Sequence, residues 1–305
     1  MTRFALRRLP QLALALLGVS FFTFVLLHLS GDPAQLLLPE SAGPDEVARV
    51  RRELGLDDPL PVQFGRFLAH AVRGDFGRSL AFDQPALALV LERLPATFEL
   101  ALAAAAVALV VTVPLGVLAA LHRGTLVDLG AMLGTLVGQS MPTFWWGIVL
   151  IMVFAVLLGW LPPTGRGGLQ HLILPAVALG TYSAARTARL IRSGMLDELG
   201  REYVRTARAK GLPERRVVFA HAFRNILIPV VTVAAMEFGV MLGGAMIIET
   251  VFAWPGLGRL MIQAIYRRDF PVVQASVFVL CILFVTMNML LDLLYAWLDP
   301  RVRVG

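Results

Sequence analysis

The chain has 305 residues, 57% of them hydrophobic and 16% charged, with a mean hydropathy of +0.74. A soluble domain of this size needs more polar surface than that composition supplies, so the chain reads as an all-α polytopic membrane protein. Its formal net charge of +6 does not point to nucleic acid, because the basic residues sit beside apolar runs. The single cysteine, Cys281, permits no disulfide within the chain, and five scattered histidines form no metal-ligand spacing.

Six apolar segments have the roughly 17 to 25 residues that cross about 30 Å of hydrocarbon at 1.5 Å per residue. The first, Leu9–Leu29, follows Arg3, Arg7 and Arg8. An arginine-rich start before an apolar run also describes a cleaved signal peptide, but His28-Leu29-Ser30-Gly31-Asp32 lacks a small-x-small cleavage pattern. Residues 30–97 then carry two amphipathic stretches, Pro44–Leu56 and Leu60–Val72, so a small helical cap is expected between the first two spans. The remaining spans are Phe98–Leu121, Leu129–Leu158, Leu169–Ala185, Ile226–Thr250 and Val272–Leu298, and Val251–Phe270 is expected to hold a short external helix after a turn at Pro255, Gly256 and Gly258.

Charge sets the orientation. Arg3, Arg7 and Arg8, then His122 and Arg123, then Arg186 to Arg224, then Arg301 and Arg303 all fall on one side only if six spans are counted, which places both termini in the cytoplasm and the cap outside. The domain reading is an N-terminal span over residues 1–29, an external cap over 30–97, and a transmembrane core over 98–305 with a cytoplasmic loop at 186–225.

That loop contains the most specific pattern. Glu202 to Lys210 are good helix formers, Gly211 permits a backbone reversal, and Pro213 with Glu214 starts a second helix. Ala207 and Ala209 keep the short helix thin, and Tyr203, Ala207 and Lys210 fall on one face at i, i+4 and i+7 for a partner groove. The alternative is a solvated basic loop that fixes topology and touches acidic lipid heads. Arg205-Thr206-Ala207 followed by Gly211 resembles the coupling loop of ABC-importer permease subunits, whose pattern is Glu-Ala-Ala, three residues, then Gly. Arg205 in the glutamate position and the late Ile228-Pro229 look like the oligopeptide/dipeptide/nickel branch. So do LGLDDPLPVQFGRFL, GDFGRSL and ERLPATFELALA in the cap region, SMPTFWWG around Ser140, VFAWPGLGRLMIQAIYRRDFPVV from Val251, and LLDLLYAWLDPRVR from Leu290.

The resemblance implies a type I ABC importer permease fold. It implies no enzyme activity, catalytic residue or cofactor of the chain's own. It implies a second homologous permease subunit, two cytoplasmic ATPase subunits and an extracytoplasmic solute-binding protein as partners in the bacterial inner membrane. ATPase coupling falls on Glu202, Tyr203, Arg205, Thr206, Ala207, Ala209, Lys210 and Gly211. A Walker-type phosphate loop needs Gly-rich sequence followed by Lys and Ser or Thr, and the one lysine, Lys210, is followed by Gly211, so ATP must be bound by partner subunits. Di- or oligopeptides are the implied substrates, with nickel or another small solute as the alternative.

Within the spans, Glu237 is the candidate to line a translocation path, against a carboxyl bonded to a neighbouring helix. Asn288 and Asp292, one turn apart, suit inter-helix bonding, and Glu99 an interfacial position. Ser140 is the second path candidate. Gly138-Gln139-Ser140 opens like the serine motif of an intramembrane hydrolase, but Met141-Pro142 replace the needed glycine and no histidine lies well inside another span. Ser140 is better suited to bond backbone freed by a kink at Pro142. An ion-driven carrier would show internal inverted repeats, and none is convincing.

Overall fold

The computed structural model describes residues 2–29, 43–53 and 55–298, and among these it has no β-strand. The helices in chain order are α1 (Thr2–Leu29), α2 (Pro44–Glu53), α3 (Leu60–Val72), α4 (Ala86–Leu121), α5 (Leu126–Ser140), α6 (Thr143–Leu157), α7 (Leu169–Leu199), α8 (Glu202–Ala209), α9 (Glu214–Val251), α10 (Leu257–Tyr266) and α11 (Phe270–Leu298). The ends of α6 and α9's first turns are π-helical, at Ile151–Leu157 and Val217–Phe223. Helix is the form this composition dictates, because in hydrocarbon every backbone polar group must be satisfied within its own segment.

Three helices among the described residues, α4, α9 and α11, are long and apolar enough to cross a membrane, and the pair α5–α6 makes a fourth if it counts as one span. The expected third span, Leu129–Leu158, is not straight. It breaks at Met141–Pro142 and bends by 104°. Pro142 caps α6, and Met141, forced out of the helical region by the proline that follows, lies extended at φ −92, ψ 141. The fourth expected span does not stop at Ala185. α7 continues for 31 residues, about 46 Å, so Arg186, Arg189 and Arg192 lie on a helix rather than in a loop.

The chain divides into two compact units, residues 1–95 with 259–289 and residues 96–258 with 290–305. In the first, Phe21 and Phe24 of α1 meet Phe64 and Phe67 of α3 as an aromatic cluster. The stretch before α4 is held by Asp269, whose Oδ2 accepts from the Ser79 hydroxyl and, at 3.3 Å, from the Ala81 amide.

The second unit holds the larger helical core. Leu100, Ala104 and Ala108 of α4 pack with Leu174, Ala178 and Leu179 of α7, Met241, Ala245 and Ile248 of α9, and Trp254. Close approach depends on missing side chains. A Cβ on Gly180 would stand 2.7 Å from the Ala104 carbonyl, and one on Gly116 2.7 Å from Ile191. Farther along the same helices, Val117, Ile191, Met195, Val218 and Ile226 form a second cluster. The side chains of His28 and Asp292, and all of Arg301 and Arg303, lie outside the described residues, whereas Asn288 is exposed.

Candidate functional site

Three sets of polar residues stand out in the second unit. The first is the helix–turn–helix from Glu202 to Arg216. α8 covers Glu202–Ala209, and Gly211 follows at φ +77, a left-handed torsion that a side chain resists. Pro213 caps α9 at φ −63, ψ 140. Val204 and Ala207 are buried against Val217, with Leu199, Tyr203 and Leu212 around them. The expected contact face of Tyr203, Ala207 and Lys210 therefore needs correction: Ala207 points into the protein's own core and Tyr203 is half-buried beside it. The outward face is Glu202, Arg205, Thr206 and Ala209, the i, i+3, i+4, i+7 row, followed by exposed Lys210 and Gly211.

Charge on this segment is sorted. Arg205 pairs with Glu202 at 2.8 Å, Arg201 with Glu198 at 3.1 Å, and Arg208 with Glu214 at 2.6 Å across the turn. Such exposed pairs stabilise little individually. Their effect is to leave Lys210, Arg215 and Arg216 as the cations without an acidic partner among the described residues, so positive charge concentrates at the turn.

The root of α8 is anchored by a three-residue network. Tyr203 donates its hydroxyl to Glu198 Oε2 at 2.5 Å, and Asn225 Nδ2 donates to Glu198 Oε2 at 3.0 Å and to Tyr203 Oη at 2.9 Å. These residues join the end of α7, the start of α8 and α9. The Tyr203 hydrogen bond holds the Glu198 carboxyl below its ordinary pKa, helped by Asn225 and Arg201. Burial, reinforced by Glu198, pushes the Tyr203 phenol up.

The second set is a row of arginines on α7. Arg186 donates to buried Glu237 of α9 at 2.8 Å; Arg189 donates to Gln139 of α5 at 2.8 Å; Arg192 grips Asp128 at the start of α5 with two bonds of 2.6 and 2.7 Å. Glu237 thus bonds a neighbouring helix, and Ser140, the other candidate, follows Gln139 directly. Of the two, only Glu237 is bonded by an arginine of α7. Ser140 does not bond the backbone freed by the kink. Pro142 has no N–H for the Gly138 carbonyl, and Trp146 Nε1 supplies the missing donor at 3.0 Å. Ser140 instead donates to Leu136 within its own helix at 2.8 Å.

Of the third set, the sequence points only to Glu99, as an interfacial residue. Glu249, fully buried, accepts from Thr97 Oγ1 at 2.6 Å, and the same hydroxyl accepts from the Leu257 amide at 2.8 Å. Trp254, also buried, donates its indole N–H to the Ala96 carbonyl at 2.8 Å. Glu99 pairs with Arg166 at 2.6 Å, and Arg166 lies over the Trp254 ring. The signal available was a glutamate beside a Trp-Pro-Gly turn; what it lacked was any local hint of its partner about 150 residues away.

A family model described as "Binding-protein-dependent transport system inner membrane component" matches residues 112–304, and one for the N-terminal part of such a membrane component matches residues 1–101. A chain of Brucella abortus (strain 2308), provisionally named a peptide transport system permease protein, is 44% identical over 312 residues, covering 99% of each chain. The di/tripeptide transport system permease protein of Pseudomonas aeruginosa (strain UCBPP-PA14) is 42% identical over 333 residues, again covering 99% of each. Among solved structures, a chain of a methionine ABC transporter in an inward-facing conformation superposes with a TM-score of 0.58 at 20% identity, covering 69% of this chain and 96% of that one.

Proposed function

Since the chain belongs to the family of binding-protein-dependent transport system inner membrane components, we propose that it is the permease subunit through which an ATP-driven importer carries di- or oligopeptides. The observation that carries the peptide reading is end-to-end similarity, above 40% identity, to chains named for peptide transport. The chain spans the bacterial inner membrane six times in the type I arrangement, with both termini and the helix–turn–helix at 202–216 in the cytoplasm; of the expected loop 186–225, the stretch with Arg186 and Arg189 stays at membrane depth on α7, where Arg186 bonds Glu237. Residues 1–29 form the first span, 30–97 an external cap and 98–305 the transmembrane core.

A second homologous permease completes the path, two ATPases bind ATP below it, and an external solute-binding protein delivers substrate. The outward row Glu202, Arg205, Thr206 and Ala209, with Lys210 at its end, lies in a groove of one ATPase. Tyr203 and Ala207 hold that helix from behind, and Gly211 sets its angle to α9. Lys210, Arg215 and Arg216 favour an acidic rim on the ATPase. Glu237 and Ser140 border the path. Chemistry at the chain itself is limited to binding and alternating access.

The test is uptake of radiolabelled dialanine by liposomes holding the complete complex. Uptake that requires ATP inside, stops when the ATPase subunits carry inactive sites and survives an ionophore supports the reading. Nickel uptake without dialanine uptake would replace the substrate class, and uptake abolished by the ionophore would replace the mechanism.

A further inference from the structure

We infer that Arg189, together with the open donors of Arg186, is a seat for the carboxylate of the transported solute. This rests on the reading of the chain as a peptide importer subunit, and it begins from charge. Arg192 is neutralised by Asp128 and Arg186 by Glu237. Arg189 has a neutral amide as its partner among the described residues, the Gln139 side-chain oxygen. One amide oxygen occupies one of five guanidinium donors and offsets none of the charge.

The position of that charge is informative. Glu237 lies 14 residues before the end of α9 at Val251, about 21 Å at the helical rise, and 13 after Arg224, about 20 Å, so it is near the middle of the apolar length. Arg186 bonds it directly, and Arg189 is one turn away on α7. Yet the Arg186 side chain is 62% exposed, and Tyr182, Arg186 and Arg189 form one exposed row at i, i+4 and i+7. A guanidinium at that depth does not face lipid tails.

The helix break excludes lipid independently. Ser140, Met141 and Pro142, adjoining Gln139, are exposed where the backbone leaves the helix. Irregular backbone is tolerated at membrane depth only inside protein or beside a water-filled cavity. Broken helix and exposed arginines therefore face the space that the second permease encloses, away from lipid. The planar guanidinium fork matches a carboxylate bidentately, and Glu237 holds the Arg186 end of the seat in place. Peptides differ in every side chain but share a terminal carboxylate, so one fixed cation in an otherwise permissive path serves the whole class.

The experiment measures dialanine uptake by liposomes containing the complete complex with wild-type chain, Arg189→Gln or Arg189→Lys. Arg189→Gln should lower uptake about tenfold or more, the loss of one charge-assisted hydrogen bond, while the subunits co-purify in wild-type yield. Arg189→Lys, which keeps the charge but loses the bidentate fork, should fall between wild type and Arg189→Gln. Unchanged uptake in Arg189→Gln overturns the seat. So does failure of that variant to assemble, which would make an acidic residue of the second permease the occupant. A defect that vanishes in vesicles without anionic lipid assigns the arginine to a headgroup and also overturns it. Wild type inert towards dialanine removes the peptide reading and the seat together; a silent variant in a working wild type removes the seat alone.

Discussion

Gly211 offers the sharpest test of how the 202–216 segment works, because its environment isolates one physical term. A Cβ built there meets nothing within 4 Å, so substitution causes no collision. What remains is backbone strain, since φ is +77. For alanine the left-handed torsion costs about 1–2 kcal/mol. A β-branched residue costs up to about 3 kcal/mol. Asparagine, which bonds its own backbone in that region, costs least after glycine. Activity should therefore fall in the order Gly, Asn, Ala, Val. A strain of 3 kcal/mol corresponds to roughly a 150-fold shift between the native turn and a rearranged one, which swings α8 away from its place on Val217. The two larger clusters, around Ile248 and around Ile191, are untouched, so abundance should stay normal while uptake and substrate-stimulated ATP hydrolysis in the reconstituted complex fall together. Wild-type values for Gly211→Val in both assays, or an Asn variant as impaired as Val, would refute the reasoning.

Gly256→Ala should behave oppositely, as a folding defect, because its Cβ would sit 2.1 Å from Glu249 Oε1, an oxygen already held by Thr97; the check is abundance and melting temperature in detergent, with a clear loss of both expected. Tyr203→Phe should lower the melting temperature by an amount that is the same at pH 6 and pH 9. Glu198, with its pKa lowered, contributes stability that is complete above its unfolded value of 4.5 and lost as pH falls through the folded one; Tyr203, with its pKa raised, contributes stability that is complete below 10.0 and lost as pH rises through the folded one. A loss that changes between those pH values would show that the network titrates elsewhere. For orientation, a reporter fused within Pro213–Arg216 or after Arg303 should read cytoplasmic and one near Asp57 external, and an inverted signal at either cytoplasmic position defeats the six-span arrangement.

Membrane residence and the helix–turn at Glu202–Arg216 were legible in the sequence because both depend on neighbours along the chain. Apolar run length measures itself, and a glycine followed two residues later by proline constrains only its own torsions; Gly211 at φ +77 and Pro213 at the start of α9 are local outcomes. What tertiary structure decided is rotation and depth. The sequence shows that Ala207 and Ala209 keep α8 thin, but only packing against Val217 reveals that Ala207 is inside and Glu202, Arg205, Thr206 and Ala209 are outside. Likewise Ser140 next to Pro142 implies a kink, whereas the 104° bend and the choice of Trp146 to satisfy Gly138 depend on how α6 turns back. Arg186 with Glu237, Arg189 with Gln139 and Arg192 with Asp128 are 51, 50 and 64 residues apart. No local periodicity encodes such pairs, since each requires two helices to be set at a particular rotation and height by the close packing of small residues such as Gly116 and Gly180.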